Sequence, residues 1–454
     1  MRFINVANSI AVATALLAVV FGYLANFYMA MIAPLSVEYE GPCFWASWMI
    51  AQGKNPYDAA ALTSTPIGIL IYPPCYFVIS GLLLKLTGAV YWPLRLVSEL
   101  SIILSAIALY RLFAMAKCTK LSIAIGLIIY LTYFPIWSWA YKGRVDMLSI
   151  AFSAWALERF VHAWLAKDNG GANGETVGGG EAGKIAALMR RSAQYLPFIL
   201  LAALATFTKQ PSSVIFLAVV IFLFAVRQAR LALAIVLASA IALSGALGIT
   251  QILTSGGYLA HMSFASACPV ALDKMIRVIS SLQLAPFNLF VFALALIVVL
   301  LARKRLEKPL DVNVFLPALL FVLSSTIGVY TSGLKFSNPN HLMLPLLSLS
   351  WLTGVLVDRI SFTWFKTIAS TSVVLGASLF LFLVGRQSVP AIDEQLPLMS
   401  ETFTQLRQLN LKDKLVLAED PAVCVMVGAV PDCMDIVGLI SLWENPRIKS
   451  RLPD

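Results

Sequence analysis

Long apolar runs separated by short charged turns fill most of the chain. A bilayer-spanning helix needs about 20 predominantly apolar residues, and lipid offers no water to satisfy open strand edges, so these runs predict helices. Eleven spans are expected, at residues 8–33, 94–114, 121–139, 146–165, 194–208, 211–226, 231–253, 284–302, 312–331, 341–357 and 366–385. One further run, IYPPCYFVISGLLLKLT at 71–87, reaches across only if its ends are generous. If it crossed, every later loop would change sides and RKRLEK (303–308) would face outward. It is therefore read as a helix lying along or dipping into the outer face, opened by Pro73 and Pro74, with Lys85 snorkelling to the headgroups. Residues 34–93 then form one long outer loop with an amphipathic stretch at 42–52 and a turn at Asn55-Pro56. This loop is too aromatic for a disordered segment.

With the N-terminus inside, the short inner loops collect Lys117, Lys120, Arg190, Arg191, Arg227, Arg230, Arg303, Lys304, Arg305, Lys308, Arg359 and Lys366. The net charge of +10 is thus a topology signal and gives no reason to expect nucleic acid. Composition agrees: 59% of the 454 residues are hydrophobic and 12% charged, where soluble domains carry about 25% charged residues. The expectation is an all-α polytopic protein of the plasma (inner) membrane. Its first apolar run, 8–33, is longer than a cleavable signal core and reads as an anchor.

Residues 1–385 make the transmembrane unit, and DNGGANGETVGGGEAGK within 167–193 reads as a flexible inner linker. LKDKLVLAED and AVCVMVGAVPD are strand-like, so 386–454 reads as a small α/β outer domain. Five of six cysteines face outward in this topology. Cys43 with Cys75, or Cys424 with Cys433, can pair or stay free, and spacing does not decide between them.

The polar residues expected at the outer face are numerous. The first loop offers Glu38, Glu40, Tyr57 and Tyr72, and YKGRVD offers Lys142, Arg144 and Asp146. TKQP carries Lys209 and Gln210, GGYLAH carries His261, and GLKFSNPNH carries Lys335, Asn338, Asn340 and His341. Cations recognise phosphate, and a carboxylate can take a proton from an attacking hydroxyl. Together they fit transfer of a group from a lipid phosphate to a nucleophile. Their plainer readings are solvated acids at a helix end, snorkelling cations and a helix-capping histidine.

EG, GKNPYD, YPPCYF, LTG and RLVSE, followed in order by RVDMLS, FTKQ, GGY with a nearby His, and NHLML, cover most of the chain. In this order they resemble membrane glycosyltransferases of the GT-C class, in particular bacterial relatives of the protein O-mannosyltransferases and lipid A aminoarabinose transferases (glycosyltransferase 39/83-like). The resemblance implies a GT-C-like bundle whose long outer first loop carries interfacial helices. It also implies a polyprenyl-phosphate-linked sugar donor held within the membrane lipid, and a glycan, lipid or protein acceptor. Glu40 takes the place of the catalytic acid, with Glu38 as its rival; the family commonly has Asp there, and Glu adds a methylene. Asp146 matches the second acid. Lys209 and Lys335, with Arg144 and His341, would hold the departing phosphate, and Tyr72 would support the loop around it. Lys142 and Gln210 complete the implied substrate-binding set. The acceptor hydroxyl would attack the anomeric carbon in line with the leaving phosphate, with inversion. No DxD motif or His/Cys cluster with ligand spacing is present, so no cofactor and no tightly held metal are expected, while a loosely bound divalent cation stays compatible with the reading. The alternatives are a secondary transporter, a lipid-linked oligosaccharide ligase and a catalytically inactive GT-C scaffold. Transporter sites lie at the midplane between repeated halves, and no internal repeat is visible.

Overall fold

The computed structural model describes residues 2–33, 40–62, 68–170, 193–265, 270–280, 311–334, 339–359 and 363–390, with scattered stretches of 401–431. The long helices are α1 (Arg2–Ile32), α4 (Trp92–Met115), α7 (Val145–Gly170), α10 (Ala229–Leu253), α13 (Val312–Ser332), α14 (Met343–Arg359) and α15 (Thr363–Pro390). Between them stand α2 (Gly41–Ala51), α3 (Cys75–Thr87), α5 (Lys120–Thr132), α6 (Phe134–Ala140), α8 (Leu196–Thr206), α9 (Val214–Ala225), α11 (Gly257–Ala265) and α12 (Leu272–Ser280). Short 3-10 turns at Ala59–Leu62, Gln210–Ser213 and Pro339–Leu342 complete this part of the chain.

Among the described residues six helices are long and apolar enough to cross a membrane, or seven if α5 and α6, bent by 67°, make one span. The eleven expected spans are therefore not reproduced one for one. The run at 121–139 breaks at Tyr133 because Pro135, lacking an N–H, suits the first turn of a new helix better than the middle of an old one. The runs at 194–208 and 211–226 appear as two short helices meeting at Lys209. At 146–165 lies one long helix whose Glu158 and Arg159 keep it from being uniformly apolar. The run at 284–302 and the linker 171–192 lie outside the described residues. Helix α3 has 13 residues and rises about 20 Å, short of the ~30 Å a crossing requires.

Apolar side chains face both ways, as a lipid-immersed bundle demands. Ile10, Leu17, Phe21 and Leu24 of α1 and Leu233, Leu237, Ile241 and Ile252 of α10 point outward. The interior core gathers Phe113, Ile128, Trp137, Leu157, Phe160, Phe222, Leu320 and Trp351. Helix α4 packs along α7, α1 along α15, α13 along α14, and α14 along α5. A second, smaller core of Phe44, Tyr57, Tyr76, Phe77, Tyr91 and Tyr258 sits beneath the first loop, where α2 packs on α3.

Helix α15 runs past residue 385, so the expected boundary of the C-terminal domain falls inside a helix. Beyond it the described pieces are strands β1 (Leu415–Val416) and β2 (Val430–Pro431), paired in parallel, and helix α16 (Pro421–Met426) between them. Helix α16 packs against α2, which brings this segment onto the first loop. Cys43 and Cys75 are free thiols, so the Cys43–Cys75 pair does not form, and burial pushes the Cys43 thiol up to about 12. Cys433 lies outside the described residues.

Candidate functional site

Three chain-remote segments meet where α7 begins. Asp146 stands in the first turn of α7, where the helix N-terminus favours a negative charge. Its Oδ1 accepts from Lys209 Nζ at 2.5 Å and from Asn340 Nδ2 at 2.8 Å, and its Oδ2 accepts from Arg144 Nε at 3.3 Å. Lys209 reaches it from the break between α8 and the 210–213 turn, where its backbone is extended (φ −152°, ψ 116°). Asn340 reaches it from the turn that precedes α14. All four side chains are buried, Asp146 at 1% exposure. Burial lowers the Lys209 ammonium's pKa, and Asp146 pulls the other way.

Among the described residues one carboxylate thus faces two cations, beside a cavity of about 20 Å³. Asp146, Ser149, Lys209, Ser212, Asn340 and His341 line it, with Gly328 of α13 closing one side. The space is large enough for a water. Two buried atoms on this wall, His341 Nδ1 and Asn340 Oδ1, have no hydrogen-bond partner among the described residues. Buried polar atoms are normally satisfied, which makes these two candidates for contact with a ligand. Ser149 and Ser212 share a hydrogen bond of 2.6 Å, tying α7 to the 210–213 turn.

Arg144 also donates from Nη2 to Tyr72 Oη at 3.3 Å, and the Tyr72 carbonyl accepts from Tyr57 Oη at 2.6 Å. Burial raises the Tyr72 phenol, so it stays a neutral donor and acceptor. The sequence-predicted residues Asp146, Arg144, Lys209, His341 and Tyr72 are therefore brought together. Lys142 Nζ lies 4.2 Å from the Trp139 ring centroid, and Gln210 donates to the Ile71 carbonyl at 2.7 Å, where it ties the 210–213 turn to the first loop. Glu38 and Lys335 lie outside the described residues.

Glu40 adjoins this cluster through Gly143 but is held by a different partner. It is 0% exposed, its Oε2 accepts from Arg95 Nη2 at 2.7 Å, and its Oε1 accepts from Arg95 Nε at 3.0 Å and from the Gly143 N–H at 2.5 Å. A carboxylate committed in this way cannot take a proton from a substrate without breaking a buried ion pair. Arg95, which holds Glu40, was not among the sequence candidates, and Asn340 was noted at the outer face without a site role. Arg95 carried a signal nonetheless, because an ionisable residue inside an apolar span is costly and so marks a function or a partner.

His261, from the GGY block, braces the first loop. Its Nδ1 accepts from the Leu70 N–H at 3.0 Å and its Nε2 lies 3.0 Å from the Asp58 carbonyl, which fixes a neutral ring with the proton on Nε2. Among the described residues no three His, Cys, Asp or Glu side chains gather as a metal site.

In solved structures the fold matches ArnT from Cupriavidus metallidurans bound to undecaprenyl phosphate, at 13% identity, covering 95% of this chain and 88% of that one, with a TM-score of 0.59. The apo state of the same ArnT matches at 13% identity, 96% and 88% coverage and a TM-score of 0.59. No family model and no curated protein matches this chain. At this identity the likeness establishes the fold alone, that of ArnT, and the long apolar helices make the chain a multi-pass membrane protein.

Proposed function

We propose that this chain is a glycosyltransferase that moves a sugar from a polyprenyl-phosphate donor to an acceptor hydroxyl, at the membrane face where α7 begins. The bias of basic residues makes that the outer face of the plasma membrane. What carries the reading is the buried set of Lys209 and Arg144 on Asp146, beside a cavity wall where His341 Nδ1 and Asn340 Oδ1 have no partner among the described residues. Undecaprenyl phosphate bound to ArnT, a protein of the same fold, supports the choice of donor class.

In this mechanism Asp146 keeps Lys209, Arg144 and Asn340 in place. The two cations stabilise charge that develops on the departing phosphate, a contribution that is usually the largest single one. His341 and Asn340 complete the phosphate or sugar contacts. Of the two acids in the first loop, Glu40 is committed to Arg95, which leaves Glu38 to take the acceptor's proton as the hydroxyl attacks the anomeric carbon with inversion.

The test supplies radiolabelled polyprenyl-phosphate sugars to purified protein in lipid, with membrane extract as acceptor, and records release of polyprenyl phosphate. One donor should be turned over, and Lys209→Gln and Glu38→Gln should each lose roughly 100-fold or more, the order seen when one transition-state contact is removed. Equal turnover by all three proteins would show that the site is misplaced. If no donor is consumed, an inactive scaffold or a transporter of this fold becomes the better reading.

A further inference from the structure

A second ionic cluster lies at the far end of the bundle. Glu158 of α7 is 0% exposed, and it accepts from Arg111 Nε of α4 at 2.7 Å and from Arg159 Nε at 2.5 Å. Both guanidinium carbons stand 5.7 Å from the centroid of the Trp155 ring. Two cations again face one carboxylate, so the cluster keeps a net positive charge. Arg111 is 43% exposed at its side chain, and its two Nη groups meet no acceptor among the described residues.

Its depth follows from helix geometry. Ser98 of α4 donates to the Lys142 carbonyl and so stands level with the candidate site. Arg111 is 13 residues further along α4, about 20 Å away, and Glu158 is 12 residues beyond Asp146, about 18 Å away. The cluster therefore belongs to the opposite leaflet. Leading to it along α4 is an exposed apolar stripe, Leu100, Ile103, Leu104, Ile107 and Tyr110, spaced to share one helix face. Leu100 to Tyr110 spans about 15 Å, the thickness of one leaflet's hydrocarbon.

We propose that Arg111 and Arg159, held against Trp155 over Glu158, form a headgroup site for one anionic phospholipid of the leaflet opposite the candidate active site, with an acyl chain along the α4 stripe. The guanidinium fork matches a phosphate diester. The Arg111–Glu158 bond fixes the guanidinium before the lipid arrives, which reduces the ordering that binding must supply.

The experiment reconstitutes the full chain in vesicles and reads the motionally restricted fraction of spin-labelled phosphatidylglycerol against spin-labelled phosphatidylcholine. Wild type should prefer phosphatidylglycerol by about five-fold or more, the effect of roughly one basic residue near a membrane surface. Arg111→Gln should bring the ratio close to one. Arg111→Lys, which keeps the charge beside Glu158 and guards against a folding defect, should fall between the two. Equal preference in all three proteins overturns the site, as does an absence of preference in wild type. Loss of the wild-type preference in 50 mM inorganic phosphate would mean that a free anion takes the place and that the lipid is not its occupant.

Discussion

Arg95 and Glu40 bury two full charges against each other, and the surroundings show why this is stable. Arg95 Nη1 donates to the carbonyls of Ala30 and Ala33 at 2.5 and 2.7 Å, satisfying the otherwise open C-terminal end of α1, while Nε and Nη2 take the carboxylate. Removing one partner of such a pair leaves an uncompensated buried charge. Arg95→Met should therefore destabilise the protein by about 3–5 kcal/mol in a thermal or denaturant melt in detergent. Arg95→Met with Glu40→Gln should recover a large part, since the amide oxygen still accepts from Gly143 while the lone charge is gone. No recovery would mean that the pair matters through geometry and not through charge. The acid-Gly pair at Glu40 was legible as special, but its partner was not. Their separation of 55 residues crosses a whole loop, and nothing local in RLVSE says which carboxylate Arg95 meets. Asp146 and Lys209 were legible because both interrupt apolar runs, where an ionisable group calls for a reason.

Helix interfaces show the same logic one scale up. Phe113 of α4 projects between Gly126 of α5 and Gly354 of α14, and a Cβ at either glycine would collide with its ring. Small residues at such crossings let helices approach closely. Gly354→Ala should cost about 1–3 kcal/mol by overpacking, and Phe113→Leu in the same chain should restore most of it; unchanged stability in Gly354→Ala would show that Phe113 has room to move. In the first loop, His261 is held neutral because burial lowers its pKa and a proton on Nδ1 would face the Leu70 N–H. Its folded pKa lies below the unfolded value, so the unfolded chain binds the extra proton first. The brace is then complete above about pH 6.5 and weakens as pH falls below it. Limited proteolysis of the first loop should be faster at pH 5 than at pH 8 in wild type and nearly pH-independent in His261→Gln. The positions of the long helices were legible from hydropathy alone. Their breaks were legible unevenly: TKQP announced the one at Lys209, but Pro135 starts a new helix inside a run without charges, and mean hydropathy does not register a missing N–H.

Across the whole molecule, the Asp146 cluster joins segments separated by 63 and 194 residues. Whether its cations serve more than a brace is testable, because folding and function separate in variants. Asp146→Asn strands Lys209 and Arg144 together in a buried place, so it should lower stability by about 3–5 kcal/mol. Adding Lys209→Gln removes one of the two stranded cations and should return much of that stability. If the cluster serves a phosphate, the double variant is well folded yet remains about 100-fold or more below wild type in release of polyprenyl phosphate, because the charge that stabilises the leaving group has gone with Lys209. Activity that returns in step with the melting temperature would instead make the cluster a brace and nothing more, and the chemistry would have to be sought elsewhere on that face.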